Sequence, residues 1–193
     1  MGTLRQWGIG YVLYSQDHDG TIPWEGSRDE PDRPDAWYNG VAATLSIDGW
    51  TAMRRSGREV RAGLLDSLYV CPAAPKRPDV RPYWGYGMNY MLINTRGAYG
   101  LPARPKRRLS SIPRLGQTVF MTDKGATPDL LQSHPTANPH YDFKSYWHRG
   151  GSNVLFGDGH CAWYPGSRLL DAFQTRSRAL DPELIWVPDA QFR

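Results

Sequence analysis

The stretch from Trp147 to Tyr164 constrains this chain more than any other. Asn153 to Phe156 is a short run containing Val, Leu and Phe, side chains that suit a pleated and buried strand. Asp158-Gly159 follows and reads as a tight turn with both residues at positive φ, and His160 to Tyr164 forms the return strand. An antiparallel hairpin is therefore expected late in the chain. Nine residues separate His148 from Asp158. Gly150-Gly151 lets the backbone double back, so that His148 can hydrogen-bond near the hairpin as a structural histidine.

The other end of the chain has a different period. Leu4, Trp7, Tyr11 and Tyr14 fall on one face of a helix over about residues 3–16. Gly8 and Gly10 weaken that helix by about 1 kcal/mol each relative to Ala, a cost that close approach to a sheet would offset. Asp17-His18-Asp19-Gly20 ends it in a turn. A second helix is expected from Pro34 or Asp35, burying Trp37, Val41 and Leu45. A third is expected over 58–68, with Val60, Leu64, Leu65 and Leu68 as its stripe. Residues 83–93 read as extended, 117–122 as a buried strand ending at Asp123, 124–146 as a long loop, 168–173 as a short helix and 184–187 as a short strand or extended tail. Helix first and antiparallel strands late is the pattern of an α+β fold. An N-terminal helix would pack on a small antiparallel sheet, with irregular helical and loop insertions. The 193 residues fit one domain spanning 1–193, with 1–17 as its helix.

Charge is uneven. Residues 17–35 hold seven acids against two arginines, and residues 76–114 hold nine Lys or Arg against one Asp. The net charge of +4 speaks to solubility rather than to a partner. No run approaches the roughly 18–20 apolar residues of a membrane span, and no signal-peptide pattern is present. The chain as written reads as soluble. Cys71 and Cys161 would bridge only if their Cα atoms came within about 7 Å, which the sequence leaves open.

Several segments, in order, resemble the prepilin-type H-X9-DG family of pseudopilin-like proteins. Leu4-Arg5-Gln6-Trp7-Gly8 through Asp17-His18-Asp19-Gly20-Thr21-Ile22-Pro23 is similar to the family segment that follows the membrane-spanning half of its first helix. Val70-Cys71-Pro72 is similar to its "CP" turn, and Tyr86-Gly87-Met88-Asn89 to its "YGxN" segment. Val119 to Asp123 matches a strand ending in Asp, and His148 with Asp158-Gly159 matches the terminal motif around Asn153. The resemblance covers nearly the whole chain. It implies a pilin-like headgroup whose apolar half-helix and prepilin peptidase site would lie ahead of about Thr3. It further implies a non-enzymatic subunit of type II secretion or of a surface filament. Such a subunit would be extracytoplasmic, anchored in the membrane through that helix, and assembled with copies of itself or with related subunits. No cofactor is required by it, and calcium is the ion that related loops bind.

Three constellations bear on chemistry beside this reading. Asp17 and Asp19 with Gly20 resemble the opening of an oxygen-rich calcium loop, although a helix cap explains the same residues. Asp123, His148, Asp158 and His160 are suitable transition-metal ligands on paper, and a metal-dependent hydrolase would be built from them. Against an enzyme, no Ser, Cys or Lys sits in a recognisable catalytic frame. Arg104, Lys106, Arg107 and Arg108 form a basic cluster for phosphates, and Trp84, Tyr86 and Tyr90 offer stacking faces. Together these make a nucleic-acid-binding module the main alternative. The simpler role of the aromatics is to fill a core short of Leu and Ile.

Overall fold

The computed structural model describes residues 2–26, 30–57, 68–73, 84–93, 106–124, 136–137, 148–169 and 183–186. The architecture over these residues is α+β. Helix α1 (Gly2–Asp17) is followed by α2 (Trp37–Thr44) and α3 (Trp50–Arg55). The strands are β1 (Tyr86–Asn89), β2 (Val119–Asp123), β3 (Thr136–Ala137), β4 (Gly151–Phe156) and β5 (Cys161–Pro165). They form one sheet in the order β3-β1-β2-β4-β5. Four strands are antiparallel, and β3 joins the β1 edge in parallel.

The stripe on α1 goes where its period directs it: Leu4, Trp7, Tyr11 and Tyr14 are all buried. The two glycines on that face set its distance from the rest. A Cβ on Gly8 would lie 2.8 Å from Leu155 Cδ1 and 3.1 Å from the Gly159 carbonyl oxygen. One on Gly10 would lie 2.7 Å from Val41 Cγ1. Gly8 thus meets the sheet, as expected, whereas Gly10 meets α2. The core under α1 is aromatic. Trp7 packs edge-on against Trp37 with centroids 4.9 Å apart, and Trp50 stacks on Trp84 at 4.6 Å. Large rings reach across a wide space with few side chains, so a chain with eight Trp and eleven Tyr can fill a core from short helices.

The sheet has a second apolar face. Val154 and Phe156 alternate with Leu155 along β4 and so point the other way. There they join Val119, Leu169, Leu184 and Trp186. The expected extended segment near the C-terminus is present as Ile185, which bridges Thr118 in parallel.

Three local expectations change. The positive φ values do not fall on both Asp158 and Gly159; of the two, only Gly159 has one, at 88°. Phe156 N–H donates to the His160 carbonyl at 3.0 Å and Gly159 N–H to the Phe156 carbonyl at 2.9 Å. The hairpin loop is therefore the three residues Gly157-Asp158-Gly159, with Gly159 in the left-handed position that such loops need. In this part of the chain two consecutive positive φ values occur instead at Arg149 (54°) and Gly150 (77°), in the turn that brings Gly151 N–H back to the His148 carbonyl. Second, α3 occupies 50–55, which carried no expectation of a helix, while the helix expected over 58–68 lies, apart from Leu68, outside the described residues. Third, within the segment 124–146 expected as a loop, Thr136–Ala137 forms β3, while 125–135 and 138–146 lie outside the described residues.

Candidate functional site

Three chain segments meet at the end of the sheet where β1 starts, β2 ends and β4 begins. Gly85 N–H donates to the Tyr69 carbonyl at 3.1 Å and draws the 69–71 segment against the sheet. The contact is tight enough that a Cβ on Gly85 would lie 2.6 Å from Val70 Cα and 2.7 Å from Cys71 N. Tyr69 holds the same segment from the other side, its hydroxyl donating to the Tyr38 carbonyl at 2.7 Å. Cys71 is thereby buried beside the start of β1; Pro72 after it is exposed.

Asp123 closes β2 opposite Tyr86 and is 1% exposed. Its Oδ2 accepts from Asn153 N–H at 2.7 Å and from Asn153 Nδ2 at 3.0 Å. Asn153, singled out within the terminal motif, thus fixes the carboxylate. His148 enters from the Arg149-Gly150 turn. Its Nε2 lies 3.1 Å from Cys71 Sγ and 3.1 Å from Asp123 Oδ2. Trp163 Nε1 donates to the His148 carbonyl at 2.8 Å and steadies the turn. Tyr86 is buried beside these groups. Burial first, then the neighbouring Cys71 and Asp123, hold its phenol well above the usual range, so it is a neutral hydroxyl.

Among the described residues, only Cys71, Asp123 and His148 bring three potential metal-ligand atoms together, all within 4.8 Å of one another. The arrangement differs from a Ser-His-Asp relay in one respect. In a relay the base takes a proton on one ring nitrogen and is oriented through the other; here thiol and carboxylate both face Nε2.

The remaining sites expected from sequence separate from this cluster. Asp158 and His160 pair with each other at the exposed hairpin tip, Oδ1 to Nδ1 at 2.6 Å. They do not join Asp123 and His148, because the β4–β5 hairpin carries them to the far end of the strand. Asp17 and Asp19 are exposed at the end of α1. Asp19 (φ 53°) and Gly20 (φ 75°) are left-handed there, and Gly20 N–H donates to the Ser15 carbonyl at 2.8 Å. That is a helix C-terminal turn.

In the basic cluster, Lys106 and Arg108 are exposed and Arg104 lies outside the described residues. Arg107 is buried and donates to the Leu92 carbonyl at 3.0 Å, so it does not face a phosphate in solvent. Trp84 and Tyr86 are likewise in the core rather than on a stacking surface. The acidic segment is partly neutralised by its own neighbours, with Arg33 on Asp35 at 2.6 Å and Arg54 on Asp32 at 3.4 Å.

Asn89 and Gly87 are structural. Asn89 Nδ2 donates to the Val119 and Trp186 carbonyls, each at 2.9 Å, and Gly87 pairs with Thr122 in the sheet. Cys71 and Cys161 carry separate thiols and share no disulfide. The sequence named Asp123 and His148 as ligand candidates but Cys71 only as part of a turn and as a disulfide candidate with Cys161. No helix among the described residues is long and apolar enough to cross a membrane. Compared with family models, curated proteins and solved structures, the chain matches none.

Proposed function

We propose that the chain is a non-enzymatic structural subunit, the headgroup of a pseudopilin-like protein of a secretion or surface-filament system. In this reading it works outside the cytoplasmic membrane and assembles with copies of itself or with related subunits. The observation that carries the reading is the two-sidedness of α1. One face packs on the sheet and α2, while Ile9 (59%) and Leu13 (42%) stand exposed on the other. Spaced at i and i+4, they make one apolar strip along the helix. Covering the part of each side chain still exposed is worth on the order of 1 kcal/mol, so helix-to-helix packing between subunits is a natural use of it. A filament grows when such contacts repeat head to tail.

The reading requires an apolar helical segment ahead of Thr3. The test is the gene with its natural upstream sequence, expressed in its own cell and chemically cross-linked. Wild type should give a ladder of oligomers, and the pair Ile9→Asp with Leu13→Asp should lose most of it. The headgroup's melting temperature should barely change, because exposed substitutions usually stay within about 0.5 kcal/mol. A ladder that survives both substitutions, or a wild type that never cross-links, overturns the proposal.

A further inference from the structure

We propose that Cys71, Asp123 and His148 form a mononuclear site for a borderline divalent transition-metal ion of the zinc class. The inference is independent of whether the chain assembles into filaments.

The donor set is the first argument. One sulfur, one imidazole nitrogen and one carboxylate oxygen suit zinc and its neighbours; calcium and magnesium take oxygen ligands instead. Convergence is the second. Nε2 of His148 faces Sγ and Oδ2 at 3.1 Å each. A ring nitrogen has one hydrogen or one lone pair, so it cannot point well at both. A cation between the three atoms uses a lone pair from each. Tetrahedral bonds of about 2.3 Å to sulfur and 2.05 Å to nitrogen set those two atoms roughly 3.5 Å apart. Sγ and Nε2 therefore need to part by only about 0.4 Å, a movement within reach of a histidine on a turn.

Burial is the third argument. Asp123 is 1% exposed, and its Oδ1 is a buried oxygen with no hydrogen-bond partner among the described residues. A buried carboxylate oxygen left without a donor is costly, and a cation on the companion oxygen Oδ2 would offset part of that cost by neutralising the shared charge. The support a metal ligand requires is already in place, since Asn153 holds Oδ2 through two hydrogen bonds. His148 keeps 23% of its side chain exposed, and three protein ligands leave the fourth tetrahedral position to water or another ligand. On binding, the metal replaces the thiol proton on Sγ, which leaves to solvent.

The test is cobalt(II) titration of the chelator-treated protein, with zinc as competitor. We expect one cobalt per chain and a thiolate-to-cobalt charge-transfer absorption that zinc abolishes. Cys71→Ser should remove that absorption and Cys161→Ser should keep it. His148→Gln should weaken binding at least tenfold with the far-ultraviolet circular dichroism retained. Asn153→Ala should weaken it about 10- to 100-fold, the usual effect of losing a group that orients a ligand. X-ray absorption of the zinc-loaded wild type needs no variant and should report a single sulfur among nitrogen and oxygen neighbours. No charge-transfer band, a band that depends on Cys161, unchanged affinity in His148→Gln, or zero or two sulfurs at the zinc would each overturn the site.

Discussion

Asp158 sits at the hairpin tip, where its carboxylate accepts the His160 backbone N–H at 3.1 Å and faces the ring Nδ1 at 2.6 Å. Partial burial pushes its pKa up, but the backbone and ring hydrogen bonds from His160 together outweigh burial and leave it below the usual value. A depressed carboxyl stabilises the fold where the unfolded chain is also ionised. Its contribution is complete above the unfolded value of about 3.9 and disappears as pH falls through the lower folded value. Wild type should therefore melt above Asp158→Asn at pH 5.5, and the gap should close as the pH is lowered toward 2. A gap that stays constant over that range would remove Asp158 from the hairpin's stability. At this scale the sequence was partly legible. Asp158-Gly159 marked the hairpin, but the loop length depends on register, and the hydrogen bond that closes Phe156 on His160 leaves three residues for the loop. The left-handed pair fell on Arg149-Gly150, where Arg gives no turn signal.

Among the elements, the contact between the 69–71 segment and the start of β1 is the one on which the candidate site depends. Three backbone atoms of residues 69–71 lie within 3.0 Å of where a Gly85 Cβ would be, and backbone cannot rotate away as a side chain can. Gly85→Ala should cost on the order of 3 kcal/mol, measured by urea unfolding, and should loosen Cys71 from His148. An alanine variant of wild-type stability would mean that this contact is looser than described. Elements with a full period were readable: α1 from its four-residue stripe, and β2 and the β4–β5 hairpin from runs of Val, Leu, Phe and Met. Short ones were not. A helix of six residues such as α3 cannot display a stripe, and β3 has two residues. The site was the least legible feature. Cys71 and His148 are 77 residues apart, so no local spacing announces them, and the close approach that joins them depends on one glycine.

Over the molecule as a whole, the sheet separates two apolar bodies, the aromatic core under α1 and α2 and the smaller cluster around Phe156 and Trp186. Asn89 ties them together. From β1 its buried amide donates to Val119 on β2 and to Trp186 beyond the sheet, and its Oδ1 accepts the Met91 N–H at 2.9 Å. Each of these groups is away from water, and a buried acceptor or donor deprived of its partner costs about 1–3 kcal/mol. Asn89→Ala should thus lower stability by about 3 kcal/mol, short of the simple sum because neighbouring groups relax together. The more informative readout is cooperativity. In wild type, near-ultraviolet circular dichroism, dominated by the tryptophans, should melt together with the far-ultraviolet backbone signal, as one unit does. In Asn89→Ala the two curves should separate as the Trp186 side loosens first. Separate curves already in wild type would mean that the two bodies fold independently and that Asn89 does not couple them.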